Sequence, residues 1–599
     1  MEQPQQQLKN NLLRYLPWLA AALPALIPLW LISHDGVDLP YLDQWGSAYA
    51  EFYIKAHHGQ LSFWDFTAQQ NEHRMFVPKV IYYVLNSITH WNAFGEMILG
   101  WLIVCATSLN IAWLCRKATS FPIGPIVWGI ANLMIFTPVQ WENWTWGLGV
   151  INVLPIFFIT SAMVVLSTSW NEWLRIGFAM ALGTAATFSS GQGILVWPLL
   201  LPMAAWSGSL KELLAKKWFV LGWLGAFAFN IVLYNVGYIE PGRPPELRGY
   251  YVNPLLVVRF ILAFLGNPLI HYAVWPPPTS ASIAIGLVEF SLLLASSIYV
   301  GLVFFKQRDH AWCRPVVVLL MIGWYSVLSG LAASEFRARQ GEWMSMSSRY
   351  ATAALYLPAA LAILIPVILA RIRANLRDDS KYVWPVPQWA ALAIFLAIYS
   401  IGWDRAFNNA RFDGLMRLEG KAAVLFLRLF PNNPLLSEAV GPGAASRIPI
   451  AEELNAMGYI RPPLINTDVA SELQNPTPPT MPPSSFGKIE RAEKTHADQA
   501  ILYGWAMLPQ YHQRAHSVLL SYQDELNRPV IFAMGKMGYQ RDDLVNSFDD
   551  SAYRDSGWLA PFNSAAIPAK LSETQILAWA VDAKTARIYR IDGDITFKR

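Results

Sequence analysis

The chain has 599 residues, of which 54% are hydrophobic, 14% aromatic and only 14% charged, and its mean hydropathy is +0.29. A composition this apolar excludes a single soluble enzyme, and a net charge of +4 gives no basis for nucleic-acid binding. The three cysteines, Cys105, Cys115 and Cys313, lie in or beside apolar runs, so there is no disulfide framework or cysteine zinc site. We therefore predict an α-helical membrane protein with many spans.

Apolar runs long enough to cross a bilayer recur along the first two thirds of the chain. Because a span needs about 20 apolar residues, the sequence predicts about eleven of them, give or take one or two. They lie at residues 12–32, 94–115, 121–136, 147–167, 176–189, 194–206, 218–234, 283–305, 316–333, 351–370 and 384–403. The pair 176–189 and 194–206 is also compatible with a hairpin that only dips into the bilayer. Residues 255–275 are predicted to lie along the outer surface.

Positive charges predict the orientation of these spans. Lys and Arg are retained in cytoplasmic loops, and they concentrate at residues 116–117, 211–217, 306–314 and 371–381. The connections that then face outward are 35–91, 140–146, 190–193, 237–280 and 334–350. This pattern predicts a multi-pass protein of the bacterial inner (cytoplasmic) membrane, with a cytoplasmic amino terminus and an extracytoplasmic carboxy-terminal domain.

The composition changes after the last predicted span and indicates three regions. Residues 1–403 form the transmembrane domain, and residues 404–485 form an amphipathic and then Pro-rich connection. Residues 486–599 form a soluble domain, in which turn residues separate short β-type runs, as in a small antiparallel β-sandwich. These runs are 501–507, 517–522, 530–534, 576–581 and 587–591.

The first outward loop has about sixty residues, which is unusually long for a connection between spans. Its best candidate for a catalytic base is Asp43, next to Trp45, because a partly desolvated carboxylate can take a proton from a hydroxyl. Asp65 and Glu72 are further candidates. His73 and Arg74, which follow directly, are candidates for binding a phosphate, and Trp45 is a candidate for binding a sugar. The alternative is that these acids are ordinary solvated side chains of an exposed loop.

Two other outward loops carry candidate ligand-binding residues. In QWENWTWG, Glu142, Asn143 and Trp144 suit a carbohydrate, since they combine hydrogen-bonding groups with aromatic faces; the alternative is an interfacial aromatic belt. In the loop 334–350, Arg337 and Arg349 suit phosphate oxygens.

These arginines have alternatives as well. An ion pair of Arg337 or Arg349 with Glu335 or Glu342 would give them a purely structural role. Arg243 and Arg248 are weaker candidates for phosphate binding. Glu289 lies within a span, where a carboxylate is costly unless it is paired or faces a wet cavity.

Nucleotide-binding signatures are missing from the sequence. There is no Walker loop, dinucleotide glycine fingerprint, HExxH or nucleophile elbow. An enzyme without them needs a donor already activated in the membrane, and polyprenyl-phosphate sugars are such donors. The sequence demands no cofactor, but Asp43, Asp65 and Glu72 would suit Mg²⁺ or Mn²⁺ if they converge in space.

The segments YLDQW, NEHRM, QWENWTWG, SSGQGILVWP, FLGNP and MSSRY carry a resemblance. They are similar to a little-characterised family of bacterial multi-span proteins near the GT-C superfamily of integral membrane glycosyltransferases. The resemblance covers residues 12–403 and implies a transferase that uses lipid-phosphate-linked sugars. It implies that Asp43 activates the acceptor and that Arg349 with Tyr350 contacts the donor phosphate.

We therefore predict transfer of a sugar from a polyprenyl-phosphate-linked donor to an extracytoplasmic glycan or lipid-linked acceptor, with membrane lipids as the other partners. The alternatives are an O-antigen-type ligase or polymerase, a flippase or carrier of lipid-linked saccharides, and a non-catalytic glycan-binding scaffold. The ligase reading would use His73, Arg74, Arg337 and Arg349. A direct displacement, with inversion at the anomeric carbon, needs one base and one phosphate clamp.

Overall fold

A computed structural model of the chain describes most of the sequence. The described residues are 15–46, 49–119, 123–239, 253–270, 278–374, 385–441, 443–474, 481–496, 498–571 and 573–598. Arg243 and Arg248 lie outside these ranges.

Contacts divide the chain into two compact units. The first comprises Met1–Gly36, Ser62–Ile88 and Phe94–Arg411. The second comprises Val37–Leu61, Thr89–Ala93 and Phe412–Arg599. The predicted first outward loop is thus shared: its middle part belongs to the helical unit, and its two flanks belong to the unit that contains the carboxy-terminal strands.

The first unit is built from long apolar helices. In the described part of the chain, eight are long and apolar enough to cross a membrane. They are Tyr15–Asp35, Ala93–Ala118, Ile123–Thr145, Gly147–Leu166, Lys217–Asn235, Ser280–Gln307, His310–Gln340 and Ser348–Ala374. The prediction of a polytopic helical membrane protein is confirmed, and each of these helices coincides with a predicted span.

Three of the eleven predicted spans are not among these eight helices. Residues 176–189 and 194–206 correspond to the helices Glu172–Thr187 and Gly191–Ala204, which are short for a full crossing. The described part of the last predicted span, residues 385–403, lies in the long helix Pro385–Leu425. The segment around 255–275 contains the short apolar helix Pro254–Leu269.

Other elements connect and flank the spans of the first unit. They are the helices Phe63–Thr67, Phe76–Thr89, Leu210–Ala215 and the strands β1 (Gln69–Gln70) and β2 (His73–Arg74). Within the bundle, Asn132 links neighbouring helices, since its Nδ2 donates to the carbonyl of Ala21 over 2.8 Å and its Oδ1 accepts from Ser108. Such hydrogen bonds hold helices together where lipid tails compete for apolar contacts.

Two glycines allow a close helix crossing. A Cβ at Gly266 would lie 2.0 Å from the carbonyl oxygen of Ser282, and one at Gly286 would lie 1.9 Å from that of Leu262. The helices Pro254–Gly266 and Ser280–Leu302 therefore touch backbone to backbone.

The second unit contains an antiparallel sheet of nine strands. The strands are β3 (Gly487–His496), β4 (Gln499–Leu508), β5 (Gln513–Arg514), β6 (Ser517–Gln523), β7 (Pro529–Tyr539), β8 (Gly557–Asn563), β9 (Glu573–Asp582), β10 (Arg587–Arg590) and β11 (Ile595–Lys598). Their order is β10-β9-β6-β7-β8-β4-β3, while β11 pairs with β9 and β5 with β4. The predicted carboxy-terminal β-rich domain is confirmed, and all five predicted runs fall on strands.

Apolar side chains on one face of the sheet form the core of the second unit. Leu502 and Ala506 of β4 join Val518, Trp558 and Ala578 of β6, β8 and β9 in this core. Trp505 and Met507, at alternate positions of β4, pack in a second cluster with Leu544 and Tyr553.

The second unit also contains short helices, of which Ala470–Leu473 packs against β7 and β10. The others are Ala50–His57, Leu436–Val440, Ile448–Ala456 and Asp542–Phe548.

Candidate functional site

A two-residue hairpin in the first loop presents the central side chains of the candidate site. Strands β1 and β2 pair Gln69 with Arg74 and Gln70 with His73, so that Asn71 and Glu72 form the turn. Asn71 has φ 49°, a left-handed conformation that Asn tolerates better than most residues. The turn thus fixes the position of Glu72 at its tip.

Glu72 forms an ion pair with an arginine far along the chain. Arg337 Nη2 lies 3.2 Å from Glu72 Oε1, across 265 residues of sequence, and Arg337 Nε donates to the hydroxyl of Tyr350 over 3.0 Å. Glu72 and Arg337 retain 15% and 20% side-chain exposure. The structure therefore brings together three residues that the sequence placed in two separate loops, at a position that solvent reaches.

His73 is held against the same carboxylate. Its Nδ1 accepts from the backbone N–H of Gly191 over 3.1 Å, and its Nε2 lies 3.9 Å from Glu72 Oε1. Burial lowers the pKa of His73, and Arg337 lowers it further against the opposing effect of Glu72. The imidazole is therefore neutral at pH 7 with its proton on Nε2, on the side of Glu72.

Arg349 adds an unused cation next to this cluster. Its guanidinium carbon lies 5.6 Å from the centre of the Tyr350 ring. Among the described residues, the guanidinium has no hydrogen-bond partner, although its Nε is buried. A buried donor without a partner is costly, so an anion at this position would stabilise it.

The sequence also allowed a structural pairing of these arginines with Glu342. That carboxylate instead accepts from Arg259 and from the hydroxyl of Thr279, at 2.6 Å and 2.5 Å. The hydrogen bond from Arg259 lowers the pKa of Glu342. Glu342 therefore does not neutralise Arg337 or Arg349.

Glu142 supports the backbone that carries Arg349. Its Oε2 accepts from the backbone N–H of Arg349 over 2.9 Å and from Ser347 Oγ over 3.1 Å, at the start of the helix Ser348–Ala354. A carboxylate at this position satisfies free N–H groups and interacts favourably with the helix dipole. Glu142, predicted to bind an acceptor or sugar, is thus engaged in positioning Arg349 and Tyr350.

Asn143 fastens the same helix. Its Nδ2 donates to the carbonyl of Arg349 over 2.9 Å and to Thr352 Oγ1 over 2.6 Å, while its Oδ1 accepts from Asn152 over 2.8 Å. The neighbouring Trp144 is only 1% exposed. With its amide in use and its neighbour's ring covered by protein, this pair has little left to offer a saccharide.

Two further predicted residues make structural contacts. Arg74 donates to the carbonyls of Thr67, Tyr234 and Val236, at distances of 3.0, 3.2 and 2.6 Å, and so closes the end of the span Lys217–Asn235. Asp65 Oδ2 accepts from the N–H and the hydroxyl of Ser62, at 2.8 and 2.7 Å.

The bond from the Ser62 N–H to Asp65 belongs to a capping box at the start of the helix Phe63–Thr67. We therefore omit Arg74 and Asp65 from the set of residues proposed to contact substrate.

Asp43 and Trp45 lie in the second unit. Asp43 is exposed, on the 3₁₀ turn Leu42–Trp45, and Trp45 is fully buried with its Nε1 donating to the Pro40 carbonyl over 2.7 Å. Leu42 has φ 46°, a strained conformation for a branched side chain, and Arg447 donates to its carbonyl over 3.3 Å. The 3₁₀ turn and the hydrogen bond from Arg447 thus fix the backbone conformation next to Asp43.

The described residues include no cluster of three or more His, Cys, Asp or Glu side chains with the spacing of a metal site. Glu72 has a guanidinium and an imidazole as neighbours, and Asp65 is used in capping. The Mg²⁺ or Mn²⁺ that the sequence allows stays a prediction, and the proposed reaction uses none. Glu289 is buried in its span, and neither of its carboxylate oxygens has a hydrogen-bond partner among the described residues.

Two residues from the middle of the chain bond the hairpin of the candidate site and were not predicted from the sequence. Tyr234 donates from its hydroxyl to the Glu72 carbonyl over 2.7 Å, and Gly191 donates to His73. Gly191 belongs to the SSGQG segment, whose two glycines interrupt an apolar run. That interruption was the available signal. Tyr234 gave none, since it ends an apolar span as many tyrosines do.

No family model and no curated protein matches the chain. Among solved structures, it is similar to the oligosaccharyltransferase of Archaeoglobus fulgidus in the apo form (TM-score 0.39, 14% identity) and to the same archaeon's oligosaccharyltransferase AglB in complex with an inhibitory peptide and a dolichol-phosphate (TM-score 0.40, 13% identity). Both matches cover 76% of this chain and 60% of the other. A third, in complex with Zn and sulfate, has a TM-score of 0.38 at 14% identity.

The chain thus spans three fifths of the length of the structures it matches.

Proposed function

We propose that the chain is a membrane glycosyltransferase of the GT-C type that transfers a sugar from a polyprenyl-phosphate-linked donor to an extracytoplasmic glycan or lipid-linked acceptor. The observation that carries the proposal is the ion pair of Glu72 and Arg337 beside Tyr350, whose hydroxyl accepts from Arg337 and whose ring centre lies 5.6 Å from the guanidinium carbon of Arg349. Such a cluster offers the base and the phosphate clamp that a displacement at an anomeric carbon requires.

In the proposed reaction, the acceptor hydroxyl gives its proton to the Glu72 carboxylate as its oxygen bonds to the anomeric carbon. The bond between that carbon and the phosphate oxygen breaks, and its electron pair leaves with the polyprenyl phosphate. Arg349 and Arg337 stabilise the negative charge of the leaving group. A single displacement of this kind inverts the anomeric configuration.

His73 would act as a hydrogen-bond donor rather than as a base. Its Nδ1 is occupied by the Gly191 N–H, so only the protonated Nε2 is directed to the Glu72 side. A neutral donor at this position orients the carboxylate without protonating it.

The test is transfer from labelled polyprenyl-phosphate sugars by the purified protein in lipid nanodiscs. Arg337→Ala should lower the rate about 100- to 1,000-fold, the usual cost of removing one charge-stabilising group. Arg339→Ala is the matched control, because Arg339 is exposed and two positions away. Thermal melting checks that both variants are folded. Equal transfer rates for the two folded variants would overturn the proposal.

Asp43 stays a second candidate for the base. The sequence predicts that Asp43→Asn leaves a folded, membrane-inserted protein that has lost transfer. Full activity of that variant would leave Glu72 as the base. Loss of activity with normal donor binding would instead support Asp43.

A ligase of surface polysaccharides is the second function compatible with the cluster, because such a reaction is also predicted to use outward arginines and a histidine. The position of His73 beside Glu72 is the observation that favours this second function. The two readings differ in substrate: a ligase uses a donor that carries a long glycan, whereas the transferase uses a donor with one sugar. The same nanodisc assay, run with both donors, separates them.

A further inference from the structure

The helix Phe76–Thr89 is amphipathic in the reverse sense of a helix on a water-soluble protein. Its buried side carries Pro78, Lys79, Tyr82 and Asn86. Its opposite side carries an apolar stripe, Val80, Tyr83, Val84 and Ile88, with exposures of 37%, 43%, 51% and 72%. A helix that buries its polar side and exposes its apolar side is not suited to water.

The polar side is held by specific hydrogen bonds, so the orientation of the helix is fixed. Lys79 Nζ donates to the carbonyls of Asp65 and Ala68, at 2.8 and 3.1 Å. The hydroxyl of Tyr82 donates to the Gly147 carbonyl over 2.9 Å. Rotation of the helix to hide the apolar stripe would break all three bonds.

The short helix Phe63–Thr67 extends the apolar stripe. Phe66 lies 5.8 Å from Tyr83 and 6.4 Å from Phe76, measured between ring centres. Phe63 and Trp64 of this helix are 65% and 74% exposed. The two helices together therefore present one continuous apolar and aromatic surface.

This surface lies at the level where membrane spans end. Gly147, which bonds Tyr82, is the first residue of the span Gly147–Leu166. The backbone N–H of Val77 donates over 3.0 Å to the carbonyl of Phe188, the residue that ends the helix Glu172–Thr187. An element fixed to the ends of membrane helices meets the boundary between headgroups and acyl chains.

We propose that the helix Phe76–Thr89 and the helix Phe63–Thr67 lie in the bilayer interface, with the apolar stripe, Phe63 and Trp64 immersed in lipid. The occupant of this surface is the bilayer, because the same bilayer surrounds the spans to whose ends the helices are bonded. The hairpin with Glu72 connects these two helices, so the lipid contact sets the height of the candidate site at the membrane surface. This inference does not depend on the proposed function.

The experiment measures the depth of a spin label in proteoliposomes. The three native cysteines are replaced by alanine, and labels are attached at Val84→Cys and Ile88→Cys. Leu109→Cys, 62% exposed on a span, is the lipid control, and Leu526→Cys, 72% exposed on the turn between β6 and β7, is the water control.

Labels on the apolar stripe should collide with oxygen several-fold more often than with a water-soluble nickel chelate, as at the lipid control but at shallower depth. The inference is overturned if they respond like the water control. It is equally overturned if both reagents are blocked, because a protein would then cover the stripe. All four labelled positions are exposed, so the labels themselves do not disturb the packed interior; thermal melting of the unlabelled background checks the replacement of the buried Cys115 and Cys313.

Discussion

The two units each contain an arginine–carboxylate pair, and the pairs differ in what surrounds them. In the second unit, Arg514 and Glu419 lie 3.2 Å apart with exposures of 2% and 0%, and Glu419 Oε1 also accepts from the Met537 N–H over 2.8 Å. In the first unit, Arg337 and Glu72 are equally close but 20% and 15% exposed.

The difference separates a structural pair from a candidate site. Both carboxylate oxygens of Glu419 are used by the protein in a closed interior. Only Oε1 of Glu72 contacts donors among the described residues, and Arg349 nearby keeps a buried Nε without a partner. Unfilled hydrogen-bonding capacity that solvent reaches is what a ligand can use.

The largest predicted effect is on the closed pair. Glu419→Ala leaves Arg514 buried and unpaired, which should destabilise the second unit by about 3–5 kcal/mol. Thermal melting and hydrogen exchange of the full chain in detergent would measure the loss. Glu525→Ala is the control, because its partner Lys570 is exposed, and it should leave melting unchanged. A melting temperature of Glu419→Ala equal to that of the control would mean that the pair does not hold this unit together.

The next effect falls on activity rather than on stability. Glu72→Gln keeps the shape of the side chain but removes the base, so transfer should fall about 100-fold or more while melting stays within the error of the unchanged protein. The measurement is the initial rate in nanodiscs. A variant that melts early, like Glu419→Ala, would show that the Glu72 pair is structural too.

The smallest predicted effect is a dependence of the stability of the second unit on pH. His516 is fully buried, and its Nδ1 accepts from the backbone N–H of Ala583 over 2.8 Å. Burial, with the nearby charges of Lys584, Arg514 and Lys421, holds the pKa of His516 well below its usual value. The unfolded chain gains a proton near pH 6.5 and the folded chain does not, so stability is complete above that pH and falls as the pH drops below it.

This pH dependence has its own control. Asp582 lies 3.6 Å from His516 Nδ1 and is the carboxylate that could oppose the effect. His516→Asn keeps an acceptor for the Ala583 N–H but does not titrate, so melting measured between pH 7.5 and 5 should fall less steeply. An unchanged slope would assign the acid sensitivity to other groups.

The sequence predicted the membrane helices and the β-rich domain because both depend on local patterns. Apolar runs fixed eight helices, and alternating apolar residues marked five strands. Strand β3 was not predicted, because charged residues such as Arg491 and Glu493 interrupt the apolar pattern that indicates a strand. For residues 176–206 the sequence left two crossings and a shallow hairpin open, and the short helices Glu172–Thr187 and Gly191–Ala204 agree better with the hairpin.

The site was predicted only in part. Residue type and loop placement singled out Glu72, Arg337 and Arg349, but the pairing of Glu72 with Arg337 depends on tertiary packing over 265 residues. Burial was equally beyond reach. Trp144 has the composition of a sugar-stacking residue, yet its Nε1 donates to the Thr137 carbonyl over 2.9 Å and its ring is enclosed. The division of the first loop between two units had no counterpart in composition.

Donor binding by the Arg349 variant tests the central claim most directly. A polyprenyl-phosphate sugar is titrated into nanodiscs that carry the Arg349→Ala variant. Its dissociation constant should be about 10- to 100-fold higher than for the unchanged protein, the effect of losing one charge-assisted interaction. Arg339→Ala should bind the donor as the unchanged protein does. If the two variants bind equally well, the unpartnered guanidinium of Arg349 does not hold the donor phosphate, and the candidate site is not where the sugar is transferred.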